Sequence, residues 1–299
     1  MMKRLLYVLA IACLAAILPA RAADAGDKQM SKEQFLASLK FQNGKIQLPG
    51  GIATLDMPPT FRYLAPDDAN RVLVDAWGNP PGEKTLGMIF PADVSPLADD
   101  GWGVVITYQE DGHVKDDDAK TINYDDLLKK MKEGTADDSE ERVKQGYPSL
   151  LLNGWAEAPS YDAASHKLYW ALNLHSGDAS VDTLNYNVRV LGRKGVLVLN
   201  AVAAMPQLPS IKTEMQNVIG FTEFTRGNRY ADFDSNTDKV AEYGIAALVA
   251  GAVAAKLGLF AKLIALLIAA KKLVIVALVA VAGVFRKFLG LKKKENPAD

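Results

Sequence analysis

Apolar residues follow three different patterns along this chain. One uninterrupted apolar run covers residues 5–18, and a longer run over residues 245–285 is apolar or small except for four lysines. Between them, short runs of alternating apolar and polar residues are separated by turn residues. These patterns are typical of a secretory signal, a membrane segment and a folded domain. We therefore predict four parts: a signal peptide 1–22, an α+β domain 23–238, a transmembrane or membrane-associated helical segment 239–290 and a basic tail 291–299.

The first 22 residues predict export. Lys3 and Arg4 precede the apolar run, and Ala20 and Ala22 are small residues suited to cleavage after Ala22. A lipoprotein signal acylated at Cys13 is the alternative, but apolar residues continue past that cysteine, so we favour cleavage. Because the chain has one cysteine, the mature protein would have no disulfide, no thiol nucleophile and no cysteine zinc ligand.

The middle of the chain predicts strands and amphipathic helices in one domain. Ser31 and Gln34 have the spacing of a capping box, and Pro49-Gly50-Gly51 joins two alternating runs as a hairpin. Further strands are predicted at 85–91, 101–109, 149–159, 167–174, 183–191 and 195–203, and further helices within 65–81, 123–146 and 208–224. About eight strands and four helices indicate an antiparallel sheet flanked by helices.

The apolar run over residues 245–285 is longer than one membrane span. Its 41 residues would reach about 60 Å as a helix, about twice the hydrocarbon core of a bilayer. One span continued by an interfacial helix fits this length, and so does a hairpin of two spans that turns at Lys271-Lys272. The hairpin leaves 13 residues for its second arm and puts the basic tail outside, so we favour one span.

The position of the span within this run stays open. A span over 263–285 has the Lys271-Lys272 pair at its centre, whereas a span over 245–267 has Lys256 there. We prefer the earlier span, because the lysine pair then lies at the cytoplasmic boundary. A conduction path would also use buried lysines, but no acidic residue lies within the run, so we interpret them as snorkelling side chains.

Three small residues indicate that the membrane helix associates with another helix. Ala247, Gly251 and Ala255 recur every four residues and lie on one helical face. The expected partners are therefore the lipid bilayer and a second copy of the chain.

Charge separates the domain from the tail. Residues 23–238 contain 21 basic and 32 acidic residues, a net charge of −11, whereas residues 239–299 contain ten basic and three acidic residues. An acidic domain disfavours nucleic acid as a partner. A basic tail is typical of the cytoplasmic side of a membrane, which predicts a single-pass protein with a periplasmic domain and a cytoplasmic C-terminus.

One cluster of side chains could support acid–base chemistry. Glu157, Tyr161, Asp162 and His166 lie within ten residues, and a carboxylate can orient a histidine for proton transfer. The alternative is a hairpin turn in which Asp162 caps its own backbone. We favour the turn, and we assign no catalytic residue.

Two acidic segments could bind a cation. The first places carboxylate or amide oxygens at the alternate positions Asp232, Asp234, Asn236 and Asp238. Thr237 and Tyr243 stand where a calcium loop needs glycine and glutamate, so we favour a helix start capped by Ser235. The second segment contains Glu110, Asp111, His113 and the run Asp116 to Asp118. We interpret that run as a solvated loop and helix N-terminus, and we expect no metal and no cofactor.

Many blocks of the mature chain resemble one family. They include GKIQLPGGIATLDMP, VLVDAWGNPP, WGVVITYQEDGHVKDDDA, LNYNVRVLGRKGVLVLNAV and RYADFDSNTDKVAEYGIAALVAG. The chain is similar to the bacterial family catalogued as domain of unknown function 2167, described as predicted membrane-anchored proteins. This resemblance implies a membrane anchor and carries no catalytic residues. The order of the hairpin and the terminal helix also resembles the PsbP and Mog1-like fold in outline, which implies helices on both sides of the sheet.

These observations predict a periplasmic binding or adaptor protein that is anchored in the bacterial inner membrane and is not an enzyme. Its partner would be an envelope protein or a ligand. The alternatives are a membrane-tethered hydrolase using Glu157, Asp162 and His166, and a small channel or transporter subunit that uses the lysines.

Overall fold

Among the described residues, eight antiparallel strands form the main sheet and three strands form a second sheet. A computed structural model describes residues 30–82 and 84–250. The strands are β1 (Phe41–Gln42), β2 (Lys45–Gln47), β3 (Ala53–Asp56), β4 (Phe61–Leu64), β5 (Gly87–Pro91), β6 (Gly103–Gln109), β7 (Leu150–Asp162), β8 (Lys167–Ser176), β9 (Thr183–Leu191), β10 (Val196–Ala204) and β11 (Thr222–Phe224). The main sheet has the order β1-β4-β5-β6-β10-β9-β8-β7, and the second sheet has the order β11-β3-β2.

Five helices accompany the sheets in the part of the chain that the structure describes. They are α1 (Lys32–Ser38), α2 (Pro66–Arg71), α3 (Tyr124–Lys144), α4 (Leu208–Gly220) and α5 (Ile245–Ala250). The predicted capping box is confirmed, because Ser31 Oγ accepts the Gln34 N–H and Gln34 Oε1 accepts the Ser31 N–H. The helix that starts as α2 continues through a π-helical turn over Val72–Ala76 and ends before Gly78, whose φ is 67°.

Strands β9 and β10 lie at the centre of the main sheet. They pair over nine residues, from Val196 opposite Leu191 to Ala204 opposite Thr183. All nine residues of β9 are buried, which is possible only because other elements cover both sheet faces. The predicted glycine-bounded hairpin loop over 192–195 is confirmed.

The second sheet confirms one sequence prediction and corrects another. Strands β2 and β3 form the hairpin predicted at Pro49-Gly50-Gly51, where φ is 78° at Gly50 and 68° at Gly51. The stretch 208–224 was predicted to contain a helix and no strand, but after α4 ends at Gly220 the chain forms β11, which pairs with β3. The three residues Thr222–Phe224 fit the helical period of 3.6 as well as the strand period of 2. Pairing with β3 makes them a strand.

Helices lie on both faces of the main sheet. On the first face, Ile211, Met215 and Val218 of α4 share an apolar core with inward residues of β9 and β10 and with the second sheet. On the second face, α1 and α2 cover Leu64 and Met88, and α3 packs against β7. The predicted α+β class, an antiparallel sheet flanked by helices, is therefore confirmed.

The predicted membrane span falls mostly on residues that the structure does not describe. Within residues 30–82 and 84–250, no helix is both long enough and apolar enough to cross a membrane. Ala247 lies in α5. The other two residues of the small-residue face, the lysine pair and the signal peptide lie outside the described residues.

Candidate functional site

Three loops lie at one end of the main sheet. They are the loop after β6 (residues 110–118), the β7–β8 turn (162–167) and the β9–β10 turn (192–195). Strand register brings them together, because Gln109 pairs with Val196 and Lys167 pairs with Val190. This end of the sheet therefore collects side chains that are far apart in the sequence.

A segment near the C-terminal end of the described chain crosses these loops. We call residues 227–246 the strap. The His113 N–H donates to Lys239 O at 2.8 Å, and the Ala241 N–H donates to His113 O at 2.8 Å. The Arg193 N–H donates to Asn228 O at 2.9 Å. These backbone hydrogen bonds fasten the strap to two loops at once.

Four aromatic or imidazole rings stack between the loops and the strap, in the order Phe233, His113, Tyr230, His166. The ring centroids of His113 and Phe233 are 3.9 Å apart, those of His113 and Tyr230 are 4.3 Å apart, and those of His166 and Tyr230 are 3.9 Å apart. Because Tyr230 and Phe233 belong to the strap, the stack holds the strap through ring contacts.

Asp116 and Tyr161 join the outer end of the stack. The Tyr161 hydroxyl donates to Asp116 Oδ2 at 2.7 Å and lies 3.3 Å from His166 Nδ1. His166 Nδ1 is 3.6 Å from the same carboxylate oxygen. The Tyr230 hydroxyl donates to Val114 O at 3.1 Å and lies 3.4 Å from Asp116 Oδ1. One carboxylate thus contacts groups from β7, the β7–β8 turn and the strap.

The backbone of His166 is strained. Its φ of 52° is the left-handed value, and no other non-glycine residue in the described chain has a positive φ. Such backbone geometry costs about 1–3 kcal/mol and persists where surrounding contacts enforce it. The Leu191 N–H donates to the His166 carbonyl at 3.0 Å, and this bond and the stacking on Tyr230 enforce it here.

The electrostatics of the cluster keep Asp116 ionised and the tyrosines protonated. Burial opposes ionisation of Asp116, but the hydrogen bond from Tyr161 and further favourable contacts outweigh it and lower the pKa of Asp116. Burial, followed by the contact with Asp116, raises the pKa of Tyr161, and burial raises the pKa of Tyr230 to about 12. Both phenols are therefore hydrogen-bond donors at neutral pH and cannot serve as general bases.

His113 lies inside the stack and is 6% exposed. Burial lowers the pKa of His113, and hydrogen bonds to the carbonyls of Gly192 and Arg193 offset this effect only in part. The ring is therefore neutral at neutral pH, which suits close packing between Tyr230 and Phe233.

Ionised side chains add further contacts between the loops and the strap. Arg193 donates from Nε to Asp238 Oδ2 at 2.6 Å and from Nη2 to Asp238 Oδ1 at 3.1 Å. The hydrogen bonds from Arg193 lower the pKa of Asp238. The Tyr243 hydroxyl donates to Asp111 Oδ2 at 2.7 Å. These contacts fix the strap beyond the ring stack.

Three aspartates of the loop after β6 each bind a different group of the protein. Asp118 accepts the N–H groups of Ile245 at 2.9 Å and Ala246 at 3.2 Å, which caps the first turn of α5. Asp116 accepts the Tyr161 hydroxyl beside the ring stack, and Asp111 accepts the Tyr243 hydroxyl. The predicted solvated loop holds for the exposed Asp111, whereas Asp116 and Asp118 are partly buried, and each of the three carboxylates binds a group of the strap or of β7.

The candidate catalytic residues are not brought together. Glu157 forms an ion pair with Lys212 of α4 at 2.7 Å. Asp162 accepts the Ser165 hydroxyl at 2.6 Å within its own turn, as the hairpin interpretation predicts. His166 faces Tyr161 and Tyr230 instead. Its carboxylate neighbour is Asp116, which no local sequence spacing indicates.

The candidate calcium residues hold the strap in shape. Asp232 Oδ2 accepts the N–H groups of Gly227 and Arg229, and Asp234 Oδ1 accepts the N–H of Asn236. Asp238 is paired with Arg193. Among the described residues, no three His, Cys, Asp or Glu side chains are grouped so that they could bind a metal ion.

The predicted helix start at Ser235 was wrong. Residues 235–238 form turns, and α5 begins at Ile245. The Asp238 side chain accepts the Asp234 N–H at 2.8 Å and binds Arg193, so it closes a turn of the strap instead of capping a helix.

A second histidine–carboxylate pair lies at the opposite end of the sheet, and sequence reasoning missed it. His175 Nδ1 is 2.8 Å from Asp182 Oδ1, and Asn153 Nδ2 donates to Asp182 Oδ2 at 3.0 Å. Pairing of β7, β8 and β9 places these residues side by side. No spacing rule predicts a pair that depends on the length of the β8–β9 turn.

The fold and the site define an antiparallel α+β domain with a C-terminal strap fastened across one end of its sheet. The chain belongs to the family described as "Protein of unknown function (DUF2167)", whose model matches residues 40–282. No curated protein matches the chain.

Two solved structures are similar in part. Cyanobacterial PsbP (CyanoP) from Synechocystis sp. PCC 6803 is 10% identical, with 68% of this chain and 98% of that chain covered and a TM-score of 0.35. The Saccharomyces cerevisiae Ran-binding protein Mog1p is 8% identical, with 66% of this chain and 100% of that chain covered and a TM-score of 0.32. TM-scores this low support no inference about function.

Proposed function

We propose that this protein is a membrane-anchored binding or adaptor protein of the bacterial envelope, with its acidic domain in the periplasm. The domain would hold a partner protein, an envelope component or a ligand near the inner membrane. The observation that carries this proposal is the fastening of the strap immediately before the apolar run over 245–285.

The strap would position the domain relative to the membrane. Backbone hydrogen bonds, the ring stack and the Arg193–Asp238 ion pair all lie within residues 227–241 or contact them. Asp118 then caps the helix at which the apolar run begins. A folded domain joined to its anchor by a stiff connection presents its binding surface in a defined orientation, which reduces the entropy lost on association.

The contacts of the reactive side chains favour binding over catalysis. Glu157 is held by Lys212, and Asp162 is held by its own turn. His166 contacts two phenols that stay protonated and a carboxylate that stays ionised. A hydrolase would need a nucleophile or an activated water beside a base, and the contacts of His166 provide the fold with stability instead.

Crosslinking in membranes tests the binding role. The full chain is produced in its bacterial host, crosslinked with an amine-reactive reagent, isolated by an affinity tag and examined for covalent adducts. We expect recurrent adducts with one partner or with a second copy of the chain. Repeated isolation of the unmodified chain alone would contradict the proposal.

A histidine variant separates binding from catalysis. His166→Phe keeps a ring for stacking on Tyr230 and removes the imidazole. We expect the same adducts and the same cellular phenotype as for the wild type. Loss of a phenotype in a variant that still folds and still forms the adducts would favour the hydrolase instead.

A further inference from the structure

The second face of the main sheet contains polar side chains in an otherwise apolar layer. Arg189 of β9 lies opposite Leu168, and Asn187 lies opposite Trp170. Since paired residues of antiparallel strands point to the same face, Arg189 projects into the layer formed by Leu168 and Trp170. Arg189 is 6% exposed and Trp170 is 2% exposed.

Three hydrogen-bond donors in this layer have no protein partner among the residues that the structure describes. They are the indole Nε1 of Trp155, the indole Nε1 of Trp170 and the guanidinium Nε of Arg189. Trp155 pairs with Leu172, which is two residues from Trp170 on β8. The two indoles are thus diagonal neighbours on adjacent strands, and the Arg189 guanidinium lies 4.7 Å from the Trp170 ring.

An unpaired buried donor costs about 1–3 kcal/mol, and an unpaired buried charge costs more. Native proteins leave few such groups. Here three donors lie together on β7, β8 and β9, and the unpaired acceptor on the neighbouring strand β10 is Asn200 Oδ1. This imbalance selects a ligand that accepts hydrogen bonds.

The arginine also lacks a counter-charge within residues 30–82 and 84–250. No described carboxylate oxygen lies within 4.0 Å of its guanidinium, and its one neutral acceptor is the Val188 carbonyl at 3.3 Å. Burial lowers the pKa of Arg189 to about 9, so the group still carries its positive charge at neutral pH.

We infer that Arg189, Trp155 and Trp170 form a binding site for a monoanionic carboxylate attached to a small apolar body. One cation neutralises one negative charge, and a carboxylate offers two oxygens to the donors. Leu168 and Leu172, which are buried beside the indoles, match an apolar body. A doubly charged phosphate would keep an uncompensated charge in this layer. The site lies on the domain itself, so the inference goes beyond the proposed membrane role and does not depend on it.

Hexanoate binding tests the inference, with 1-hexanol as the uncharged control and inorganic phosphate as the second anion. The full chain in nonionic detergent is titrated while tryptophan emission and the melting temperature are recorded. We expect hexanoate to change the emission saturably and to raise the melting temperature. Hexanol and phosphate should do neither.

Two substitutions identify the site. Arg189→Met should weaken hexanoate binding by about 10- to 100-fold, because a hydrogen bond to a charged group contributes on that scale. Its melting temperature without hexanoate should equal or exceed that of the wild type, since an apolar side chain replaces an unpaired buried charge. Trp170→Phe should weaken binding by about 2- to 10-fold through loss of one N–H donor.

Arg62→Met is the matched control. Its guanidinium also lies over an aromatic ring, that of Phe41 at 3.8 Å, and its Nη2 donates to the Val94 carbonyl. Hexanoate binding should not change in this variant.

Several results would overturn the inference. They are no saturable response to hexanoate, an equal response to hexanol or to phosphate, and unchanged binding in Arg189→Met. A lowered melting temperature of Arg189→Met together with no hexanoate response in the wild type would identify Arg189 as structural, paired with a carboxylate of the chain itself.

Discussion

His113 shows how one side chain can serve two elements at once. Its backbone bridges to Val240, and its ring packs between Tyr230 and Phe233. Because the ring is buried, the neutral form is favoured in the folded protein. The strap is therefore held by a residue whose protonation opposes folding.

The stability of the protein should fall below neutral pH partly because of His113. Its folded pKa lies below the usual value of 6.5, so the unfolded chain binds the extra proton first as the pH falls. The stability that the neutral His113 ring contributes is complete above about pH 6.5 and declines below it. His113→Phe keeps a stacking ring and removes the titration.

We expect the melting temperature of the wild type to fall further between about pH 7.5 and about pH 5.5 than that of His113→Phe. Carboxylates titrate mainly below this window, so the difference isolates the histidine. Equal losses in the two proteins would contradict the assignment.

The ion pair between Arg193 and Asp238 is another contact between the loops and the strap, and a single substitution can remove it. The Asp238 side chain is 3% exposed, so removing the guanidinium leaves a carboxylate with poor access to water. Arg193→Met should loosen the strap and raise amide hydrogen exchange in residues 234–241, measured by mass spectrometry on the full chain.

Lys212→Met is the control for this change. It breaks the ion pair between Lys212 of α4 and Glu157 of β7 and leaves the strap contacts intact. Exchange in the strap should not change in that variant. Equal exchange in wild type and Arg193→Met would show that the ion pair does not hold the strap.

Sequence reasoning at the residue scale succeeded where contacts are local. The Asp162 turn and the Ser31–Gln34 box each depend on residues three apart, so spacing predicts them. Asp116 and Tyr161 are 45 residues apart, and Arg193 and Asp238 are also 45 apart. Such pairs depend on strand register, which no single-sequence rule supplies.

At the scale of elements, most strands were predicted, because apolar and polar residues alternate along β9 and apolar residues run along most of β10. Strand β11 was missed, since three residues are too few to show a period. Strand β7 carries bulges after Leu152, Trp155 and Glu157, and these also have no sequence signal. Bulges on an edge strand reduce its pairing with other chains.

Gly195 tests the close approach of β10 to β6. A Cβ at this position would overlap the Gln109 carbonyl oxygen and contact the Tyr108 ring. Backbone cannot move away as a flexible side chain can, so Gly195→Ala should lower the free energy of unfolding by about 1–3 kcal/mol, measured by urea denaturation.

Gly154→Ala in β7 is the control for Gly195→Ala. No atom lies within 4 Å of the place that a Cβ would take at Gly154, and we expect a change of less than about 0.5 kcal/mol. Similar losses in both variants would contradict the packing described for β10.

At the scale of the whole molecule, the acidic domain, the strap and the apolar run follow one another along the chain. Composition predicts the division into domain and apolar run. The strap was not predicted, because residues 227–246 show no clear apolar period. Its contacts with the three loops depend on the folded structure. The central proposal is therefore that this domain lies in the periplasm and is held at the inner membrane by one predicted span.

Topology is the measurement that tests this claim most directly. The mature chain has no cysteine if the signal is removed after Ala22, so single thiols can be introduced by Ser180→Cys in the exposed β8–β9 turn and by Ala298→Cys in the tail. Both are treated with a membrane-impermeant maleimide in cells whose outer membrane has been permeabilised. We predict that the Ser180→Cys protein is labelled in these cells and that the Ala298→Cys protein is labelled only after the inner membrane is lysed. Labelling of the tail in unlysed cells, or protection of the domain, would contradict a periplasmic domain held by one membrane span.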